Sequence, residues 1–176
     1  KGGDYFVQLD YAANPQYDAS GVGRIQRRGA PSALCLAVPV SREPKYQLSA
    51  PNPWGMSICP GVWNGQWQFA LETDSTYTVL SHRAEEAFAT ADWEVVLPDG
   101  QKLTQHLTVG DGVTITTEGD GLVGLMLPAF AFDGKLETQI CLDGSDLCIH
   151  YKGWVCRYRC DGCIVDTGTI CANRNG

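Results

Sequence analysis

No apolar run in this chain approaches the ~20 residues that a membrane-spanning helix needs, so a membrane is not an expected partner. No repeat, linker or low-complexity tract breaks it up. Cationic residues are scarce: 13 Lys and Arg stand against 20 Asp and Glu, a net charge of −7. That balance argues against nucleic acid, whose affinity rests on cationic neutralisation of phosphates. It also argues, more mildly, against a strongly anionic polysaccharide held over a wide surface, and leaves room for a local basic site. Histidine occurs three times, at His82, His106 and His150. No self-sufficient catalytic motif is present, so the chain reads for fold more directly than for reaction.

What is present is strand after strand. In Lys102–Val109, residues Leu103, Leu107 and Val109 share one face with Gln105, and Lys102, Thr104, His106 and Thr108 take the other. Side chains alternate across a strand, so this segment has one buried and one wet face. Val113–Glu118 repeats the pattern after Gly110-Asp111-Gly112, and Pro98-Asp99-Gly100 turns the chain out of Trp93–Leu97. Thr138–Leu142 and Leu147–Tyr151 flank Asp143-Gly144-Ser145-Asp146. A two-residue loop at Gly144-Ser145 sets Leu142 against Leu147, Cys141 against Cys148 and Ile140 against Ile149. Trp154–Arg159 and a short Ile164–Asp166 follow.

The first half is less regular. Tyr5–Asp10, Leu34–Val40, Trp67–Glu72 and Thr76–His82 read as strands. Asn14–Ser32, with Gly21, Gly23, Gly29, Pro15 and Pro31, reads as a long loop of the kind that often carries function. Arg42–Pro60 reads as a second irregular stretch. Ala84–Ala91 has the propensity for about two helical turns, but its second half leads straight into Trp93–Leu97 and is read as strand. The expectation is an all-β fold: an antiparallel β-sandwich, supersandwich-like, with little or no helix. At 176 residues it forms one domain, residues 1–176. The abrupt start at Lys1-Gly2-Gly3 and stop at Asn175-Gly176 are read as those of a piece of a longer multidomain protein.

Eight cysteines allow a secreted disulfide framework or scattered reduced thiols. The good core favours mostly free thiols, and with them, slightly, a cytoplasmic location. Cys160-Asp161-Gly162-Cys163 has a zinc-knuckle form but lacks a second matching pair, so no metal is expected, nor any cofactor.

Three places carry candidate binding residues. The Gly-rich loop holds Tyr17, Arg24, Arg27 and Arg28. Guanidinium forks match carboxylate oxygens, and a tyrosine phenol can serve as acid or base. Gly21-x-Gly23 lacks the third glycine and the strand–turn–helix setting of a dinucleotide site. At a strand end, His82 and Arg83 meet Glu85 and Glu86, which makes a small hydrolase a further reading. Sugar rings stack on exposed tryptophans, and Trp54 and Trp63 fall in irregular segments, whereas Trp93 and Trp154 read as core. The catalytic residues are not identifiable.

The segment Tyr17-Asp18-Ala19-Ser20-Gly21-Val22-Gly23-Arg24-Ile25, followed by Pro31-Ser32 and Leu34–Val40, resembles the β-sandwich portion of heparinase II/III-like proteins. So does Leu127-Pro128-Ala129-Phe130-Ala131-Phe132-Asp133-Gly134, followed by Tyr151-Lys152-Gly153-Trp154-Val155-Cys156-Arg157-Tyr158. The resemblance implies a sheet domain that accompanies an α/α toroid in the same chain, with several relatives acting as polysaccharide lyases. It implies that the toroid supplies most catalytic groups while the sheet domain closes the cleft. Gln26 stands where an imidazole would be sought, so no catalytic residue carries over. The expected function is therefore a non-catalytic or accessory β-sandwich of a carbohydrate-active, lyase-like protein, with a polysaccharide or oligosaccharide as partner. The alternative is a structural or protein-interaction sandwich with no glycan role.

Overall fold

The computed structural model describes residues 2–11, 20–31, 58–70, 74–126 and 138–162. Within them the fold is all-β and antiparallel, with no α-helix. β1 (Tyr5–Asp10) pairs with β2 (Gly21–Arg27), and β3 (Cys59–Trp63) lies between β4 (Trp67–Phe69) and β9 (Leu122–Met126). β5 (Thr76–Ala84), β6 (Ala89–Val96), β7 (Lys102–Val109) and β8 (Val113–Gly119) form a four-stranded meander. β10 (Thr138–Asp143), β11 (Asp146–Tyr151) and β12 (Trp154–Tyr158) form a three-stranded one.

The meander β5–β8 is the body of the fold, and its alternation is the one expected. Ala91, Trp93 and Val95 of β6 and Leu103, Leu107 and Val109 of β7 are buried. Thr90, Thr108 and Thr114 stand in one cross-strand register row on the opposite face. The buried face packs into one cluster with Val22, Ile58 and Val62, joined by Tyr5, Val7 and Leu9. A backbone bridge between Val22 and Ile58 links β2 to the residues leading into β3. The four-stranded sheet thus lies against the sheets of β1–β2 and β4–β3–β9, with the apolar faces inside, as in a sandwich. Each fully buried aliphatic side chain contributes about 1.5–3 kcal/mol.

Gln105, a polar residue in the middle of this core, is completely buried. Its amide oxygen accepts from Trp93 Nε1 at 2.9 Å and its amide nitrogen donates to Thr117 Oγ1 at 3.1 Å. Burial of an amide is tolerable only when such bonds are made. Trp93 is likewise fully buried, in agreement with its reading as core.

Three elements, β2, β3 and β9, depart from the sequence reading; β3 begins at Cys59 and Pro60, within the stretch Arg42–Pro60 read as irregular. Residues 21–27, read as part of a long loop, form β2. Val22 and Ile25 pair with Leu9 and Val7, and a register shift after Gln8 absorbs the extra residue Gly23. Glycines at both ends hid the strand, since Gly21 takes φ +100° and Gly29 φ +80°. β9 was not anticipated, because Gly124 interrupts its apolar run. Residues 84–91 form no helix. A turn in which the Glu85 N–H donates to the Phe88 carbonyl at 2.7 Å leads into β6. Leu34–Val40 and Ile164–Asp166 lie outside the described residues.

The small meander follows its expected register residue by residue: Ile140 faces Ile149, Cys141 faces Cys148 and Leu142 faces Leu147. Gly144 takes φ +64° in the first loop, and Lys152-Gly153 form the second with φ of +49° and +76°. Its core is a separate cluster of Ile149 and Tyr151, with Trp154, Cys156 and Tyr158 against it. Trp154, expected in the core, is half-buried.

Candidate functional site

Two constellations stand out. The first crosses the wet face of the β5–β8 sheet. A bulge between Val79 and Ser81 leaves Leu80 without a partner in the register and sets Ser81 opposite Asp92, which itself faces His106. Ser81 Oγ donates to Asp92 Oδ2 at 2.5 Å, and His106 Nδ1 lies 2.8 Å from Asp92 Oδ1. His106 Nε2 approaches Glu118 Oε2 at 3.9 Å. His106, read as a residue of the wet sheet face, stands there between two carboxylates.

The order of these groups decides their chemistry. A serine nucleophile needs an imidazole beside it as base, with the carboxylate behind the imidazole. Here the carboxylate sits between serine and imidazole. The Ser81 hydrogen bond, then the His106 one, hold the Asp92 carboxyl below the usual aspartate value, so Asp92 is a weak base. The row is a polar strap across three strands rather than a hydrolytic site.

The second constellation is aromatic. β3 and β4 are joined by Asn64-Gly65-Gln66, in which Gly65 takes φ +97° and the Asn64 N–H donates to the Gln66 carbonyl at 3.1 Å. This tight hairpin sets Trp63 directly opposite Trp67 and Gly61 opposite Phe69. Trp67 and Phe69 stack at 5.7 Å with ring planes 15° apart, and Trp63 meets Trp67 edge-to-face at 5.7 Å. Two glycines make room for them. A Cβ at Gly61 would come within 2.5 Å of the Phe69 ring, and one at Gly124 within 2.6 Å of the Trp67 indole. The Phe69 and Trp67 rings therefore lie across bare backbone of β3 and β9. Trp63, at the end of the row, is 47% exposed. The sequence reading expected Trp63 to be exposed but placed it in an irregular segment; it is the last residue of a strand. The signal that finds the whole row is two tryptophans bracketing Asn-Gly, with a glycine two residues before the first.

The residues singled out from sequence fall in three groups. Tyr17 and Trp54 lie outside the described residues. Arg24 and Arg27 stand on β2, not on a loop, and Arg28 lies in the turn that follows it. The Arg27 guanidinium lies 5.7 Å from the ring centroids of both Tyr5 and Trp154, a pair of cation–π contacts. Arg28 Nη2 pairs with Asp4 Oδ1 at 2.5 Å. His82 and Arg83 stand on β5, in a different sheet. Arg83 pairs with Glu85, while His82 takes the neighbouring position opposite Ala91. The structure thus does not bring the two arginine sets together. Among the described residues no group of three or more His, Cys, Asp or Glu is arranged to hold a metal. Among the same described residues no helix is long and apolar enough to cross a membrane.

Comparison of the chain with known family models, with curated proteins and with solved structures gives no match. The resemblance to heparinase II/III-like proteins rests on the residue patterns alone.

Proposed function

We propose that this chain is a non-catalytic glycan-binding β-sandwich, an accessory domain of a carbohydrate-active, lyase-like protein, and that it stacks sugar rings on Trp63 and its neighbours. The observation that supports this reading is the aromatic row. A pyranose ring presents a face of C–H groups that packs on an indole, and an exposed indole braced at one side by a neighbouring ring offers that surface with little ordering cost. Trp67 meets Trp63 edge-to-face and itself stacks on Phe69, and Gly61 and Gly124 let the Phe69 and Trp67 rings lie low on the sheet. The acidic balance suits a neutral or sparsely charged glycan better than a densely sulfated one. On this reading the reaction belongs to a helical toroid of the same protein, and the sheet domain holds the polymer near it.

The test is affinity electrophoresis and calorimetry against neutral and uronic-acid polysaccharides. Binding by the native chain that Trp63→Ala reduces at least tenfold, with the fold intact by near-ultraviolet dichroism, is the expected result. No binding to any glycan, or binding indifferent to Trp63→Ala and Trp67→Ala, overturns the reading.

One observation favours the protein-interaction alternative. β5 is a sheet edge carrying exposed Val79, Leu80 and Phe88 nearby, and an apolar edge strand is a template for another strand. A chain that captures an extended peptide along β5, and no glycan, would be read that way instead.

A further inference from the structure

The wet face of the small meander gathers groups that the glycan reading does not use. Cys141 on β10 and Cys148 on β11 are direct partners in the ladder, and both are free thiols. Opposed side chains in an antiparallel pair have Cβ atoms about 4.5–5.5 Å apart, and a disulfide needs about 3.5–4.5 Å with Cα atoms 4.4–6.8 Å apart. A small closing movement of the edge strand β10 therefore suffices. The two thiols differ in access: Cys141 is exposed and Cys148 is 2% exposed. His150, two residues on from Cys148 and on the same face, places Nε2 3.8 Å from Cys141 Sγ. On the far side of Cys148, Arg157 is its register partner on β12. Arg157 Nη1 donates to Asp143 and Asp146 at 3.0 Å each, which ties down the loop that sets the register of the cysteines.

We propose that Cys141 and Cys148 form a redox-active dithiol, with Cys141 as the attacking thiol, Cys148 as the resolving thiol and a low-molecular-weight disulfide such as oxidised glutathione as the oxidant. The Cys141 proton passes to His150 Nε2, and the thiolate attacks one sulfur of the small disulfide. That S–S bond breaks, the departing thiolate takes up a proton, and Cys141 is left in a mixed disulfide. The Cys148 thiol then gives up its proton and attacks the Cys141 sulfur, expelling the second small thiol. Two protein thiols are oxidised to one disulfide, and one small disulfide is reduced to two thiols. Burial pushes the Cys148 thiol up, which keeps it protonated and in reserve until its neighbour is activated. The product is a covalent rung that fixes the edge strand β10 to β11.

The experiment exposes the whole chain to graded ratios of oxidised and reduced glutathione at neutral pH. Acid quenching, alkylation and peptide mass spectrometry then locate each bond. The expected product is a Cys141–Cys148 linkage with no lasting glutathione adduct. Cys148→Ser, or Cys148→Ala where the serine variant does not fold, is expected to hold a stable adduct at Cys141. Cys141→Ser is expected to leave Cys148 unmodified over the same interval. His150→Gln is expected to slow adduct formation several-fold while reaching the same final disulfide. A persistent adduct at Cys141 in the native chain, or linkage of either cysteine to a different thiol, overturns the proposal. So does modification of Cys148 in Cys141→Ser as fast as that of Cys141, or a rate unchanged by His150→Gln.

Discussion

The two meanders, β5–β8 and β10–β12, are built from the same local rule and reach different ends. Both are antiparallel strands joined by tight turns, apolar on one face. The larger sheet buries its apolar face against two other sheets, and its polar residues are tied together on both sides: Gln105 within the core, Asp92 with Ser81 and His106 on the wet face. The smaller sheet has a cluster of its own around Ile149 and Tyr151, with Leu142 and Val155 exposed, and its wet face holds thiols and an imidazole. Alternation makes a sheet, and the partner of its apolar face is expected to decide whether that sheet becomes scaffold or stays adaptable. Local opening free energy follows buried apolar contact, so the small meander is the part expected to open first.

The tryptophans give the most severe test of that contrast. Trp93 is fully buried in the large cluster, meeting Tyr11 edge-to-face at 6.2 Å. Trp93→Ala is expected to cost about 3–5 kcal/mol in urea unfolding. Trp154→Ala, at a half-buried ring, is expected to cost about 1–2 kcal/mol, in the ordinary range for a partly buried site. Hydrogen exchange adds location. Trp154→Ala should release amides of β10–β12 and leave those of β6 and β7 protected. Equal costs, or loss of protection throughout, would mean that the two meanders form one cooperative unit.

Gln105 sharpens the comparison from the scaffold side. Gln105→Leu keeps the volume and apolar character that the alternation of β7 calls for. It also removes the acceptor of the Trp93 indole N–H and the donor to Thr117. Leaving a buried donor without a partner costs about 1–3 kcal/mol, so the expected result is destabilisation of that size. A neutral or stabilising outcome would show that the core prefers packing to its internal hydrogen bonds.

How much of this the sequence discloses depends on whether a signal is local. The hairpin at Gly144-Ser145 is legible to single-residue register because its loop is two residues long and both flanks alternate. The faces of β7 are legible for the same reason, Gln105 included. β2 and β9 are hidden by the glycines that serve them: Gly21 turns the chain into β2, and Gly124 leaves β9 bare so that Trp67 can lie across it. The strap on the wet face is not legible at all. It depends on the bulge in β5. In a regular ladder continuing from Val79 opposite Trp93, Leu80 would face Asp92, and only the extra residue brings Ser81 there. Side-chain pairs between distant strands follow from register, and one irregular residue rewrites them.

That strap supports the smallest of the expected effects, and one with a definite sign. Asp92 accepts from Ser81 and faces His106, and its carboxyl sits below the ordinary aspartate value in the folded chain. A group whose folded value is depressed stabilises the fold above its unfolded value and loses that contribution as pH falls through the folded one. Stability should therefore decline on the acid side of about pH 4, the unfolded aspartate value, as Asp92 takes up a proton. Asp92→Asn removes the titrating group while keeping the shape. The difference in stability between native chain and variant, followed by urea unfolding at successive pH values, should be largest near neutrality and shrink toward strong acid. Partial exposure of the side chain keeps the whole effect modest. A matching substitution on the small meander, Asp146→Asn, removes one of the two carboxylates that Arg157 bridges, and Asp143 remains to hold it. Its cost in stability at neutral pH should be smaller than that of Asp92→Asn. If instead the Asp146 variant loses more stability at neutral pH than Asp92→Asn does, the electrostatic anchoring of the fold lies in the small sheet, and the division into scaffold and adaptable parts is drawn in the wrong place.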